Sequence, residues 1–131
     1  MVIDSSAIMA ILLGEADADE LAIALVADSN RWISAVTALE SAIVIEARKG
    51  PAGARELDLL FHHAEIEVIP MDVDQVALAR SAWRRYGKGR HRANLNLGDC
   101  CSYALARSSG EPLLCKGDDF VHTDLHLVKL A

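Results

Sequence analysis

Four separate stretches of the chain place carboxylates just beyond short apolar runs. Asp4 follows Val2-Ile3, and Glu40 lies in the first turn of the helical pattern after Trp32-Ile33. Asp99 opens another helical pattern beyond a basic loop, and Asp118 and Asp119 follow Leu113-Leu114-Cys115. In an α/β fold, chemistry gathers beyond the carboxyl ends of the strands, where all four stretches would meet. Two carboxylates 4–5 Å apart repel by about 4 kcal/mol at an effective dielectric of 20, so such a cluster needs a shared proton or a cation. An all-oxygen donor set without His or Cys at metal spacing suits Mg²⁺ or Mn²⁺. That ion makes hydroxide from water and neutralises a phosphate during in-line displacement. Joint placement carries this reading, because each acid alone has a structural role open to it. Asp4 and Asp99 read as helix N-caps, Thr37-Ala38-Leu39-Glu40 spells a capping box, and Asp118-Asp119 suits a solvated turn.

The elements that must position these acids alternate between apolar strands and helical patterns. Strands are expected at Val2-Ile3, Arg31 to Ser34, Ile66 to Ile69 and Leu113 to Cys115, with a fifth at Leu127 to Leu130. Helices are expected from Ser5 to Leu13, Asp17 to Ala27, and Ala38 to Lys49 with a stop at Gly50-Pro51. Further helices cover Ala52 to His63, Asp72 to Tyr86, and Gly98 to about Ser108, closed by Gly110. Strands separated by helices imply right-handed crossovers and a mostly parallel sheet covered on both faces. The expected fold is a three-layer α/β/α domain with four to five strands, one domain spanning residues 1–131.

Composition narrows the function classes. Of 131 residues, 52% are hydrophobic and 24% charged, which excludes a disordered tail or a fibrous repeat. The longest apolar run, Ala7 to Leu13, is far short of the roughly 20 residues of a spanning helix. Asp4 precedes that run and no basic residue occurs before Arg31, unlike an export signal. Cys100, Cys101 and Cys115 form no C-x-x-C pair, so a reduced, cytoplasmic setting is expected. His122 and His126 lack cysteine partners at zinc spacing. The net charge of −6 argues against whole-surface affinity for nucleic acid. Yet Arg84, Arg85, Lys88, Arg90 and Arg92 gather five of the 13 basic residues just before Asp99. A patch there would hold the phosphates of a strand leading into the acidic site.

The chain resembles the PIN-domain nucleases, and in particular the VapC toxins of bacterial toxin–antitoxin pairs, along essentially its full length. The resemblance rests on Val2-Ile3-Asp4-Ser5-Ser6-Ala7, on Glu40, and on Leu95-Asn96-Leu97-Gly98-Asp99-Cys100 with Tyr103-Ala104-Leu105-Ala106. It also rests on Pro112-Leu113-Leu114 with Lys116-Gly117-Asp118-Asp119-Phe120. It implies a metal-dependent endoribonuclease with Asp4, Glu40 and Asp99 at its acidic core, and a VapB-like antitoxin that holds it inactive. Homodimers and toxin–antitoxin hetero-oligomers are implied as well. The antitoxin tail is expected in an apolar groove between helices bearing Ile11, Leu12 and Leu21 and the helix bearing Ile43 and Val44, with an Arg reaching the acids. One departure stands out. The family often carries a fourth acid three residues before the Phe, and here Gly117 holds that slot, so Asp118 or Asp119 must supply the charge or the site runs on three acids. Two other readings remain open: a catalytically idle PIN-like binding module, and a phosphoacceptor receiver domain. The receiver domain lacks its acidic pair after the first strand and its acceptor Asp after the third, where Pro70 stands.

Overall fold

The structure, a computed structural model, describes residues 1–130. Four strands and five helices follow in the order β1 (Val2–Ile3), α1 (Ser5–Leu12), α2 (Ala18–Ala27), β2 (Trp32–Ser34), α3 (Ala35–His63), β3 (Glu67–Ile69), α4 (Val73–Tyr86), α5 (Leu97–Ser109) and β4 (Leu113–Leu114). A short 3₁₀ turn at Phe120–His122 leads into the C-terminal segment. The strands form one all-parallel sheet in the order β3-β2-β1-β4.

Strand alternation divides the core between two faces. Ile3, Ile33 and Leu114 point toward α1, α2 and α3, where they pack with Ile8, Leu21, Leu25, Ile45 and Leu57. Val2 and Leu113 point the other way and pack with Ala82, Tyr86, Leu95, Tyr103 and Leu105 of the α4–α5 side. With helices on both faces, β1 and β4 read as unbroken apolar pairs, as a doubly covered parallel sheet requires. Cys100 and Cys101 are buried within α5.

One expectation about elements needs correction. The fifth strand does not form: Leu127 makes a single parallel bridge to Leu113. His126 and Val128 exchange backbone hydrogen bonds with Leu113 at 2.9 Å each. β4 is only two residues long, so its free edge offers too little ladder to propagate. The stop expected at Gly50-Pro51 is found, as a kink that separates two helical stretches within α3. Gly50 takes φ 65 and ψ −156, a conformation open to glycine, and helical backbone resumes through Pro51 to His63.

Candidate active site

The carboxyl ends of β1, β2 and β4 lie side by side, and the acids follow from that. Asp4 leaves β1 and caps α1, accepting the Ser6 backbone N–H at 3.0 Å. Its side chain is 2% exposed. The same oxygen, Oδ2, accepts the Ser6 hydroxyl at 2.6 Å, while Oδ1 accepts the Ser102 hydroxyl at 2.7 Å. The backbone N–H of Asp4 donates to Leu114 at 2.9 Å. The Lys116 backbone N–H donates to Ser6 Oγ at 2.9 Å, which brings the end of β4 against Asp4.

Asp99 sits in the first turn of α5 in a capping box. Its Oδ2 accepts the Asn96 N–H at 3.1 Å, and Asn96 Oδ1 accepts the Asp99 N–H at 2.9 Å. The helix start therefore fixes the Asp99 carboxylate, and Asn96 rather than Asp99 is the N-cap. Thr37 and Glu40 behave differently from the capping box expected of them. α3 begins three residues earlier than expected, at Ala35 behind Ser34, so Thr37 is already inside the helix. Its hydroxyl is buried 3.1 Å from Ser102 Oγ, and Glu40 is left to point at α5. There Gly98 leaves it room, for a Cβ at residue 98 would stand 2.5 Å from Glu40 Oε1.

Electrostatics confirms how close the acids are. Burial and then the charge of Asp4 push the Asp99 carboxyl up to about 7, with Asp119 and Glu40 adding to the rise against the stabilising Asn96 N–H. Cys115, at the end of β4, is pushed up to about 12 by burial and by Asp4, Asp99 and Asp119. Burial raises Cys101 too, and Glu40 adds to it. These thiols stay protonated and are no nucleophiles. Asp119 is thus close enough for its charge to act on the cluster. Gly117, at the position where the family often carries an acid, takes φ 93, a conformation strained for a residue with a side chain.

The donor set suits a hard divalent ion: carboxylates only, crowded enough that one is held protonated to near neutral pH. Among the described residues no group of three His, Cys, Asp or Glu side chains is arranged to hold an ion as it stands.

The basic loop is divided in its duties. Arg84, Arg85, Lys88, Arg90 and Arg92 are all exposed. Arg85, however, donates to the Tyr86 hydroxyl at 2.8 Å and lies 3.6 Å from Asp124. Arg90 stacks over the Trp83 ring, 4.0 Å from its centroid. Arg84, Lys88 and Arg92 make no ion pair among the described residues. The expected antitoxin groove also changes its lining. Leu21 is fully buried in the core, whereas Ile23 and Val26 of α2 and Leu39 and Ile43 of α3 are exposed. Sequence reasoning missed Ser102 and Thr37, although Ser102 lies one helical turn from Asp99 and Thr37 one turn from Glu40.

The family model of the PIN domain matches residues 1–125 of the chain. The chain belongs to the PIN-domain family, among the VapC ribonucleases. It is 54% identical over 130 residues to Ribonuclease VapC30 of Mycobacterium tuberculosis, covering 99% of each chain. It is 56% identical over 128 residues to Ribonuclease VapC of Mycolicibacterium smegmatis, covering 98% of this chain and 99% of that one. Among solved structures, Mycobacterium tuberculosis VapC20, described as a sarcin–ricin loop cleaving toxin, superposes with a TM-score of 0.78 at 17% identity and 98% coverage of both chains. A toxin–antitoxin complex from Klebsiella pneumoniae gives 0.70 at 17% identity, covering 94% of this chain and 92% of that one. At that identity the likeness is one of fold. Among the described residues no helix is long and apolar enough to cross a membrane.

Proposed function

We propose that this chain is the ribonuclease toxin of a type II toxin–antitoxin pair, cutting cellular RNA with Mg²⁺ or Mn²⁺ bound at Asp4, Glu40 and Asp99. The observation that carries the reading is the gathering of acids at the start of α5, where Glu40 lies against Gly98 beside the Asp99 carboxyl; burial and then the charge of Asp4 push that carboxyl up to about 7, with Asp119 and Glu40 adding to the rise. When bound, the ion supplies a hydroxide nucleophile and charge neutralisation at the phosphate. The chain's own residues do the rest. The Asn96–Asp99 box orients one ligand, the Ser6 and Ser102 hydroxyls orient another, and Gly98 admits Glu40. Asp119 is the better placed fourth acid. With its carboxyl pushed up to about 7, Asp99 would release a proton on holding a cation. Arg84, Lys88 and Arg92 have side chains free to hold the RNA backbone.

The kinship with VapC ribonucleases supports a VapB-like antitoxin as partner, lying on the exposed apolar residues of α2 and α3 and reaching the acids with an Arg. A homodimer belongs to the same reading. An apolar depression of about 620 Å³ lined by Met71, Val76, Trp83 and Leu97 offers a contact face. The test is to incubate the purified chain with cellular RNA, with Mg²⁺ or with a chelator, and to map new 5′ ends. Discrete cuts that need the metal and vanish on adding the neighbouring small gene's product are expected. A folded chain that binds RNA without cutting it would be the idle binding module.

A further inference from the structure

We propose that Thr37 and Ser102 are positioning residues that brace Asp4 against the helices carrying Glu40 and Asp99, a proposal resting on the metal-nuclease reading above. Ser102 Oγ lies 2.7 Å from Asp4 Oδ1 and 3.1 Å from Thr37 Oγ1. A serine hydroxyl has one proton, and an ionised carboxylate only accepts, so that proton goes to Asp4. Thr37 must then be the donor in the second contact. The proton order is fixed, Thr37 to Ser102 to Asp4, and each bond polarises the next toward the carboxylate.

Burial makes this chain of hydroxyls hard to replace. Thr37 and Ser102 are 0% exposed and Asp4 is 2% exposed, so bulk water does not reach the relay. A helical serine usually turns its hydroxyl back to a carbonyl of the preceding turn. Ser41 and Ser109 do so here, each donating at 2.8 Å to the residue four positions earlier. Ser102 does not; its hydroxyl reaches across to β1.

Position in the helices gives the brace its use. Thr37 is three residues before Glu40 and Ser102 three after Asp99, so each hydroxyl shares a helix face with one of the other two acids. The relay therefore ties the three acids of the site into one frame. It also limits what Asp4 can offer. A carboxylate has about four acceptor positions, and three are taken by Ser102 Oγ, Ser6 Oγ and the Ser6 N–H. The position left open is on Oδ1, the oxygen that Ser102 holds.

The test measures Mn²⁺ binding to the metal-free, folded protein by calorimetry, alongside kcat and KM for RNA. Ser102→Ala is expected to weaken Mn²⁺ binding by about 10-fold or more, the usual effect of losing an orienting group behind a ligand, and to lower kcat with little change in KM. Thr37→Val keeps the shape of residue 37 but loses the donor, and is expected to weaken binding in the same direction. Thr37→Ser keeps the donor but loses a methyl, and is expected to bind Mn²⁺ more tightly than Thr37→Val. The proposal is overturned if folded Ser102→Ala binds Mn²⁺ as the wild type does, or if Thr37→Ser is no better than Thr37→Val. Should Ser102→Ala fail to fold, the Thr37 pair decides. A wild-type chain that binds no Mn²⁺ overturns the metal-nuclease reading and this one with it, whereas wild-type binding that the variants leave unchanged overturns this one alone.

Discussion

The carboxylate of Glu40 occupies the place of a side chain at Gly98: a Cβ there would stand 2.5 Å from Oε1 and 2.6 Å from Oε2. Both residues belong to the ends of helices that meet at the acidic site, and the missing side chain lets them do so. Gly98→Ala separates function from stability. Alanine favours the helix by about 1 kcal/mol, and the obstacle is the far end of a flexible side chain that can swing away. The variant is expected to melt no lower than the wild type while cleaving RNA much more slowly, as thermal melts and a cleavage assay on the same sample will read.

Asp118 and Asp119 are neighbours with unequal prospects. Asp119 raises Asp99 and Cys115 by its charge, and Asp118 does neither. Asp119→Asn is expected to reduce Mg²⁺-dependent cleavage severalfold more than Asp118→Asn. Equal, mild effects from the two variants would mean that three acids suffice.

Salt dependence sorts the basic loop. Each phosphate contact to a single strand contributes about 0.7 to the slope of log affinity against log salt. Alanine at Arg84, Lys88 or Arg92 is expected to weaken RNA binding and flatten that slope. Arg85→Ala is expected to change the slope less and to lower the melting temperature, since Arg85 holds Tyr86 and Asp124.

Asp124 gives a pH signature far from the acidic site. Partial burial works to raise its carboxyl, but the Tyr103 hydroxyl at 2.8 Å and the Arg107 and Arg85 guanidiniums prevail and hold it below the usual range. A carboxyl lowered on folding stabilises the protein above its unfolded value, about 3.9, and loses that contribution as pH falls through the folded value. Asp124→Asn should therefore lower the melting temperature at neutral pH and much less near pH 3. An equal loss at both would show that Asp124 acts by shape alone.

Most of the fold was legible because it follows from periodicity. Val2-Ile3 and Leu113-Leu114 read as buried strands since both faces of the sheet are covered, and the helix expected over Asp72 to Tyr86 forms as α4, although Val73, Val76 and Trp83 stay exposed on it. Asp4 and Asp99 were legible as acids at strand ends and helix starts. What the sequence hid depends on three-dimensional competition. Thr37 has the spelling of a cap, but α3 starts earlier and its hydroxyl finds Ser102 instead. Leu21 looks like groove lining, yet its face of α2 turns into the core. Leu127 has strand propensity, but a two-residue β4 gives it only one bridge. Nothing local in Arg85 tells it from Arg84, because its partner Asp124 arrives from the far end of the chain.

Metal-dependent cleavage at the Asp99 cluster is the central claim, and one comparison tests it most directly. Wild type and Asp99→Asn, both stripped of metal and shown to be folded, are given RNA before and after Mg²⁺ is restored. Asparagine keeps an acceptor for the Asn96 N–H while removing the charge, so the variant should melt at least as high as the metal-free wild type. Wild type is expected to cut only once Mg²⁺ is present, and Asp99→Asn to cut at least about 10²-fold more slowly, the scale of losing one charge-stabilising contact. Equal cleavage by both proteins, or cleavage by the wild type that persists in chelator, would contradict the assignment.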